Sequence, residues 1–237
     1  MILPESTANS NKLLFQMFRR LLTVLLQLAG ISSFAWAIHY QAFRINMPVE
    51  LAPDRLAFGG VWKYLTFLNM CLQCIFFTVA FFSNFSNKLT RLRDLIFASA
   101  AFPIGLFVGV TFWSLWAIDR ELIFPAKVDP YIPALVNHLM HTSVIPLQLG
   151  ELFLVRHKYP KRRTGFTITA LICIAYLVWI NIIYYYGGFW VYPVFKVLSP
   201  VQRVGFMALC GVVGGFLYLA GELLNYAIWG NKHSKMQ

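Results

Sequence analysis

The sequence predicts an all-α, polytopic membrane protein built as a bundle of about six transmembrane helices. Of its 237 residues, 59% are hydrophobic and only 12% are charged, whereas about a quarter of the residues in an ordinary soluble domain are charged. Apolar runs recur along the chain, and a run of roughly twenty residues crosses a hydrocarbon core of about 30 Å. Alternating strands of a membrane barrel do not occur. Helices then remain as the structures that satisfy every backbone group in lipid.

Six apolar segments are predicted to span the membrane, joined by short connectors. Residues 21–229 form the transmembrane domain, and residues 1–20 and 230–237 are predicted to be tails. Tryptophan and tyrosine residues lie near the segment ends, as is typical of the membrane interface. The predicted spans are Leu21–Ile38, Trp62–Phe82, Leu95–Ala117, Ile132–Leu154, Gly165–Tyr186 and Val204–Ile228.

The distribution of positive charge predicts the orientation of the bundle. Of the 20 Lys and Arg residues, 13 fall in the two tails and in the second and fourth connectors, and 7 fall on the opposite side. The positive-inside rule therefore predicts that both termini are cytoplasmic. The chain is expected in the plasma membrane or the endoplasmic reticulum.

The first apolar segment also resembles a signal peptide. A basic stretch precedes it, and the small-x-small triplet Ala35-Trp36-Ala37 is typical of a cleavage site. We expect the helix to be retained, because the run is long enough to span a membrane. Its loss would leave the other five helices in the same orientation.

The composition argues against several kinds of partner. The positive charges lie in short connectors, so they indicate topology and not a nucleic-acid surface. The four cysteines all fall in apolar runs, which gives no extracellular disulfide framework. A metal site is not expected, since His138 and His141 have no carboxylate at matching depth. We expect no cofactor and no obligate protein partner, and bilayer lipids are the expected partners.

The second predicted helix carries a polar stripe. Thr66, Asn69 and Gln73 follow a spacing that confines them to about 60° of the helix surface. Polar groups at membrane depth usually face the protein interior and are functional candidates. Thr66 is expected roughly 6 to 10 Å below the outer end of its helix.

The fourth predicted helix carries a second set of polar residues. Asn137, His141 and Gln148 fall within about 40° of one another, with His138 to one side. His141 is expected roughly 14 Å below the outer end of this helix. One cavity that opens to the outer leaflet would therefore reach both His141 and Thr66.

A hydroxyl and an imidazole in one cavity meet the minimal requirement for nucleophilic catalysis. An alcohol is a poor nucleophile until a base takes its proton, and the base then returns that proton to the leaving group. Structural roles are the alternatives: Thr66 bonds a carbonyl of the preceding turn, and His141 bonds a neighbouring helix. Glu222 on the sixth helix lies too far from the level of His141 to orient it, and we expect it to hydrogen-bond between helices.

At these residues the chain resembles the family of the androgen-induced gene one protein and the androgen-dependent TFPI-regulating protein. The resemblance extends in order and spacing over roughly residues 44–229. The stretches that carry it are Gly59-Gly60-Val61-Trp62-Lys63-Tyr64-Leu65-Thr66-Phe67, Ala101-Phe102-Pro103-Ile104-Gly105, Asp119-Arg120-Glu121, Asn137-His138-Leu139-Met140-His141-Thr142, Phe189-Trp190-Val191-Tyr192-Pro193 and Leu217-Tyr218-Leu219-Ala220-Gly221-Glu222-Leu223-Leu224-Asn225.

The resemblance implies a multipass hydrolase of fatty acid esters of hydroxy fatty acids, with a threonine nucleophile and a histidine base. The family motifs place these roles on Thr66 and His141. A branched lipid ester with a free carboxylate dissolves in the bilayer, so a site within the membrane receives its acyl chains laterally. Lys63, one turn from Thr66, is then placed to meet the carboxylate, and the alternative is an interfacial residue that snorkels to the membrane surface.

Further substrate contacts are predicted near the same site. Asn69 or Asn137 is a candidate donor to the developing oxyanion, and His138 is a candidate substrate contact. The rival function is a lipid-binding protein or transporter whose polar stripes line a solute path without covalent chemistry, and a membrane scaffold is a third. The enzyme is favoured because the polar groups cluster towards one side, and because neither repeated halves nor discontinuous helices are evident.

Overall fold

The structure, a computed structural model, describes residues 5–46, 48 and 57–230. Every regular element within this part of the chain is helical, which confirms the predicted all-α class. Five helical segments are long and apolar enough to cross a membrane, judged by length and composition, and a shorter apolar helix covers Val144–Leu154. The five segments are Ser10–Arg44, Leu65–Ser83, Asn87–Ile118, Arg162–Gly187 and Pro200–Trp229.

The α-helices are joined by short turns, and α3 continues into α4 through a single π-helical turn, Phe97–Ala101. Arg55, Lys232 and Lys235, which contribute to the predicted charge asymmetry, lie outside the described residues, as does the predicted tail beyond Gly230. The α-helices are α1 (Glu5–His39), α2 (Leu65–Ser83), α3 (Asn87–Ile96), α4 (Phe102–Ile118), α5 (Ala134–His141), α6 (Val144–Leu154), α7 (Arg162–Gly187), α8 (Val194–Val197) and α9 (Pro200–Trp229).

The fourth predicted span is broken into two helices, which corrects both the single helix expected there and the expectation that no helix is discontinuous. α5 ends at His141, and α6 begins at Val144. Pro146 lies in the first turn of α6 and has no backbone N–H to donate, and its ring clashes with a helical carbonyl four residues earlier. The N–H groups of Thr142 and Ser143 both donate to the carbonyl of His138. The break places His141 at the end of a helix.

The first helix also differs from its predicted bounds. α1 begins at Glu5, well before Leu21, where the apolar run begins. Hydropathy locates the part of a helix that suits lipid, whereas the helix itself continues through any preceding residues that favour the conformation.

The helices alternate in direction, so the bundle has two ends. α2 and α9 begin, and α4 and α7 finish, at what we call the Thr66 end. The opposite end is the His157 end, where α6 finishes and α7 begins. The guanidinium of Arg19 lies 5.4 Å from the ring centroid of Trp229. The first and the last helix of the described chain, α1 and α9, therefore approach each other towards the His157 end.

Two groups of buried apolar side chains hold the bundle together. The larger packs α1, α2, α4, α5 and α6 around residues such as Phe77 and Phe102. The smaller lies at the Thr66 end, where Leu115 of α4, Ile183 of α7 and Phe195 of α8 meet. The outer faces of α7 and α9 expose apolar side chains, as expected for helices that face lipid.

A tight turn sets the start of α2. Gly59 and Gly60 adopt positive φ angles of 89° and 50°, a conformation that glycine accepts without steric cost. One 3-10 turn, Gly60–Lys63, follows, and α2 begins at Leu65. Thr66 therefore lies in the first turn of α2, where backbone N–H groups have no acceptor within the helix.

Candidate active site

The hydroxyl of Thr66 meets the imidazole of His141. Thr66 Oγ1 lies 3.2 Å from His141 Nε2, although 75 residues separate them along the chain. His141 is buried and Thr66 is half-buried. The two side chains that the sequence selected as nucleophile and base are thus within hydrogen-bond distance.

Thr66 differs from other threonines of the bundle. Thr23, Thr78 and Thr169 each donate a hydrogen bond to the carbonyl four residues earlier, which is the usual structural role. The carbonyl four residues before Thr66 belongs to Trp62 and accepts from the Trp179 indole instead. The Thr66 hydroxyl is directed to His141.

The partners of His141 determine its tautomer. His141 Nδ1 lies 2.8 Å from Asn137 Oδ1 and 3.1 Å from the Asn137 carbonyl oxygen. A carbonyl oxygen only accepts, so Nδ1 carries the proton and donates it to Asn137. Nε2 of the neutral ring is then an acceptor, and the Thr66 hydroxyl donates to it. This is the arrangement that a general base requires.

Packing holds the imidazole in place. Its ring lies parallel to that of Phe112 on α4, with centroids 3.6 Å apart and an interplanar angle of 8°. α4 approaches closely here because of Gly109, where an added Cβ would lie 2.8 Å from the His141 carbonyl oxygen. The rotamer of His141 is therefore fixed by contacts as well as by hydrogen bonds.

An apolar cavity of about 860 Å³, including the part continuous with the outside, extends from Thr66 between α4, α7 and α9. Most of the side chains that line it are apolar. Its lining on α4 runs from Leu115 to Ile104, a distance of about 16 Å at 1.5 Å per residue. On α9 it reaches Gly211. The cavity is thus elongated and apolar, with Thr66 in its lining.

Two tyrosines that sequence analysis did not assign to the site lie beside Thr66. Tyr176 of α7 and Tyr192, from the segment before α8, both line the cavity. The N–H of Leu65 donates to both hydroxyls, at 3.0 Å and 2.9 Å. Tyr192 belongs to a stretch that carries the family resemblance, but its contact with the start of α2 depends on a long-range fold.

Three amide side chains form a buried hydrogen-bonded series that leads from the region of Thr66 towards the His157 end. Gln148 donates to Gln73 Oε1, and Gln73 Nε2 donates to Asn69 Oδ1 at 3.0 Å and to the Ala101 carbonyl at 2.8 Å. Asn69 Nδ2 is buried and has no hydrogen-bond partner among the described residues. The residues that line the cavity do not include Asn69.

Lys63 and His138 lie outside the cavity lining. Lys63 is fully buried, and its ammonium lies 5.2 Å and 5.3 Å from the ring centroids of Tyr64 and Phe189. His138 is exposed, and its Nδ1 lies 2.9 Å from Thr142 Oγ1. Neither side chain is brought to the Thr66–His141 pair in the way that Asn137 is.

A family model described as FAR-17a/AIG1-like protein matches residues 20–226. The chain belongs to this family. It is 36% identical over 213 residues to the human androgen-induced gene 1 protein, covering 83% of this chain and 90% of that protein. It is 41% identical over 191 residues to the human androgen-dependent TFPI-regulating protein, covering 77% and 83%.

A more distant relative of this FAR-17a/AIG1-like chain is a membrane protein of Schizosaccharomyces pombe. The two are 21% identical over 221 residues, which cover 86% of this chain and 91% of the yeast protein. No solved structure matches the chain significantly. Within the described residues, no group of three His, Cys, Asp or Glu side chains is arranged to hold a metal ion.

A second buried polar group of this family member lies at the His157 end. His157 Nδ1 is 3.1 Å from Asp94 Oδ1, and Arg93 binds the same carboxylate at 2.6 Å. Gln27 donates to both oxygens of Glu151, which lies 3.8 Å from His157 Nε2. Burial lowers the pKa of His157 to about 4. Asp94 lies next to a predicted span and Glu151 lies within one. A carboxylate at such a position in the sequence indicates a buried polar site.

The carboxylate of Glu222 has a different environment. It accepts a hydrogen bond of 2.8 Å from Nε of Arg162, which joins α9 to α7 near the His157 end. Arg162 is largely exposed. The pair fits the inter-helix contact expected of Glu222, far from the Thr66–His141 pair.

Proposed function

We propose that this chain is an intramembrane hydrolase of lipid esters, with Thr66 as nucleophile and His141 as general base and then general acid. The substrate class that we propose is the fatty acid esters of hydroxy fatty acids. One observation carries the proposal: the 3.2 Å contact between Thr66 Oγ1 and His141 Nε2 at the end of a long apolar cavity. The two human relatives support the family, and the chemistry is our inference.

Acyl transfer to the enzyme is the first half of the proposed reaction. As Thr66 Oγ1 bonds to the ester carbonyl carbon, His141 Nε2 takes the hydroxyl proton. Asn137 holds the Nδ1–H and stabilises the imidazolium that forms. His141 then gives the proton to the leaving oxygen, the ester C–O bond breaks, and the hydroxy fatty acid departs. The fatty acyl group remains esterified to Thr66.

Hydrolysis of this acyl-enzyme is the second half. A water molecule attacks the acyl carbonyl carbon while His141 Nε2 takes one of its protons. When the tetrahedral intermediate collapses, His141 returns the proton to Thr66 Oγ1. The fatty acid is released, and both residues regain their starting states.

The shape of the cavity favours a lipid ester. The polar groups beside Thr66 are hydroxyls, and most of the remaining lining residues are apolar. The acyl chain lies in the cavity along α4 and α9, and its carbonyl carbon lies at Thr66. The hydroxy acid part of the ester lies on the other side of that carbonyl, outside the long part of the cavity. A contact of Lys63 or His138 with the substrate carboxylate stays a prediction, because neither lines the cavity.

Labelling with a lipophilic fluorophosphonate tests the proposal. Thr66 Oγ1 attacks phosphorus and displaces fluoride, so the expected result is an adduct on the peptide that spans Trp62 to Met70. Thr66→Val removes the hydroxyl and is expected to lose both adduct and hydrolysis, whereas Thr66→Ser retains part of each. The matched control is Thr78→Val on the same helix, since the Thr78 hydroxyl donates to the Cys74 carbonyl of the preceding turn. It is expected to be fully active.

The rival functions predict other results. A transporter or lipid-binding protein would give no adduct in any variant, and Thr66→Val would change solute affinity. A scaffold would be indifferent to all of these changes. Full ester hydrolysis by purified Thr66→Val protein would remove the covalent mechanism.

We also propose that both termini are cytoplasmic, in the plasma membrane or the endoplasmic reticulum. The charge asymmetry supports this orientation, and the approach of Arg19 to Trp229 supports a common side for the two ends. Epitope tags at either terminus should be accessible only after permeabilisation. A C-terminal tag detected on intact cells would overturn the orientation.

A further inference from the structure

The two tyrosine hydroxyls beside Thr66 are more than packing groups. We propose that Tyr192 donates the hydrogen bond that stabilises the oxyanion formed when Thr66 attacks its ester, with Tyr176 as the residue that positions it. This inference rests on the proposed hydrolase function and adds a third catalytic residue to it.

The hydroxyl proton of Tyr176 already has an acceptor, the Lys63 carbonyl. Its hydroxyl donates to the Lys63 carbonyl at 3.0 Å, and a carbonyl oxygen only accepts. Tyr176 also accepts from the Leu65 N–H. The Tyr176 and Tyr192 oxygens lie 2.9 Å apart, so Tyr176 accepts from Tyr192 there, having given its own proton to Lys63.

The proton of Tyr192 is the transferable one. Its resting acceptor is the Tyr176 oxygen, which keeps the Leu65 N–H as a donor if Tyr192 turns away. Rotation about the C–O bond of Tyr192 then directs the proton into the cavity, which Tyr192 and Thr66 both line. Both tyrosine oxygens keep the Leu65 N–H as a donor in this rotation, and the oxyanion replaces Tyr176 as the acceptor of the Tyr192 proton.

The location of Tyr192 suits a developing negative charge. Its oxygen lies 2.9 Å from the N–H of Leu65, the residue before Thr66, and hence at the start of α2. The N-terminus of a helix carries partial positive charge and stabilises anions. The bond accepted from Leu65 also polarises the hydroxyl and makes it a stronger donor.

Tyr192 remains protonated at neutral pH. Burial raises the pKa of this phenol above its ordinary value, so the hydroxyl proton is present when the oxyanion forms. The phenol ring is already in place, and only the hydroxyl hydrogen has to turn towards the oxyanion.

The two asparagines considered from the sequence fit the role less well. Asn137 Oδ1 accepts from His141, which makes Asn137 a positioning residue for the base. Asn69 lies below the site and outside the cavity lining. Tyr192 is both in the cavity and next to the nucleophile.

Phenylalanine substitutions separate the two tyrosines. Tyr192→Phe leaves Leu65 bonded to Tyr176, so we expect unchanged thermal stability and a kcat lowered by about 10²- to 10³-fold, as for the loss of one oxyanion donor. Tyr176→Phe removes the hydroxyl that donates to the Lys63 carbonyl and accepts from Leu65 and Tyr192, so we expect lower thermal stability and a smaller loss of kcat. Tyr185→Phe, at an exposed position on α7, is the unchanged control.

A fatty trifluoromethyl ketone provides the readout that a structural role would not move. Thr66 adds to this ketone to give an oxyanion, so Tyr192→Phe should weaken its binding by the same factor as kcat/KM, whereas binding of the free fatty acid stays constant. A Tyr192→Phe enzyme with wild-type kcat would overturn the inference and leave the hydrolase intact. So would a larger kcat loss in Tyr176→Phe at wild-type stability. Absence of hydrolysis and of Thr66 adduct in the wild type would instead overturn the proposed function.

Discussion

Asn137 Oδ1 lies 2.8 Å from Nδ1 of His141, one helical turn further along α5. The Asn137 backbone carbonyl oxygen also lies close to Nδ1, at 3.1 Å. Both oxygens of Asn137 therefore accept the same Nδ1–H. The ring is thereby held with Nε2 unprotonated and directed at Thr66. A neutral amide here performs the orienting task that a carboxylate performs in many hydrolytic triads.

Asn137→Leu should therefore lower kcat without preventing folding. The Asn137 backbone carbonyl remains as an acceptor, so we expect a loss of about 10- to 100-fold, less than the ~10⁴-fold that follows when a triad histidine adopts the wrong tautomer. The measurement is single-turnover hydrolysis of a lipid ester. Asn137→Asp keeps an acceptor for Nδ1–H and should stay within a few-fold of wild type. Wild-type turnover in Asn137→Leu would contradict the orienting role.

The two histidines of α5 should differ sharply. His141→Ala removes the group that accepts the Thr66 proton, and loss of a positioned base costs about 10²- to 10⁴-fold. His138 is exposed and bonded to Thr142, so His138→Ala should lower activity by less than about tenfold. Ester hydrolysis and fluorophosphonate labelling measure both variants. A reversed order would move the base to His138.

Much of the site was predictable from local sequence. The spacing of Thr66, Asn69 and Gln73 predicts one polar face, and Gln73 does bond Asn69. Depth estimates allowed Thr66 and His141 to meet in one cavity, because rise per residue converts sequence position into level in the membrane. Their roles as nucleophile and base came from the family resemblance and not from helix geometry.

The break between α5 and α6 was missed because hydropathy averages over a window and does not register a single proline. Gln148 was expected on the same face as His141, but Pro146 interrupts the helix between them. Gln148 of α6 reaches Gln73 of α2 by a hydrogen bond between their side chains. A backbone discontinuity of this kind depends on one residue and not on composition.

The roles of the tyrosines and of the buried charged residues were not predicted for a different reason. Tyr192 reaches Leu65 across 127 residues, and Asp94 reaches His157 across 63. Neither contact has a local spacing that a single sequence displays. Glu151 at membrane depth was nevertheless a signal, since buried carboxylates require partners.

His157 should make the stability of the bundle pH-dependent. Burial lowers its pKa to about 4 in the folded protein, below about 6.5 in the unfolded chain. The unfolded state therefore binds the proton first, and stability falls as pH drops from 6.5 towards 4, by about 3 kcal/mol in total. Thermal unfolding in detergent at pH 7 and pH 5 measures the effect.

Removal of the titrating ring is the control for this prediction. His157→Gln should unfold with a smaller difference between pH 7 and pH 5, because only the wild type loses stability through this group. His39→Gln, at an exposed position near the end of α1, should behave like wild type. An identical pH response of wild type and His157→Gln would show that Asp94 and Glu151 govern the acid sensitivity instead.

If the chain is the proposed hydrolase, Gly211 should set the length of acyl chain that it accepts. It lines the cavity on α9, further from the Thr66 end than the other lining residues of that helix, and an added Cβ would meet no atom within 4 Å. We expect a leucine side chain at this position to extend into the cavity. Leucine also has a higher helix propensity than glycine, by up to about 1 kcal/mol. The substitution should therefore not impair folding.

Gly211→Leu should lower kcat/KM for long-chain esters and preserve it for short-chain ones. A few excluded methylenes change discrimination by about 10- to 200-fold, so the ratio of long-chain to short-chain kcat/KM should fall by that order. The matched control is Gly205→Leu on the same helix, since Gly205 is exposed, also has no neighbour within 4 Å, and does not line the cavity. Its chain-length profile should equal that of wild type. If Gly211→Leu kept the wild-type profile while Thr66 still formed its adduct, the acyl chain would have to lie outside this cavity, along the lipid-facing surface beside α2.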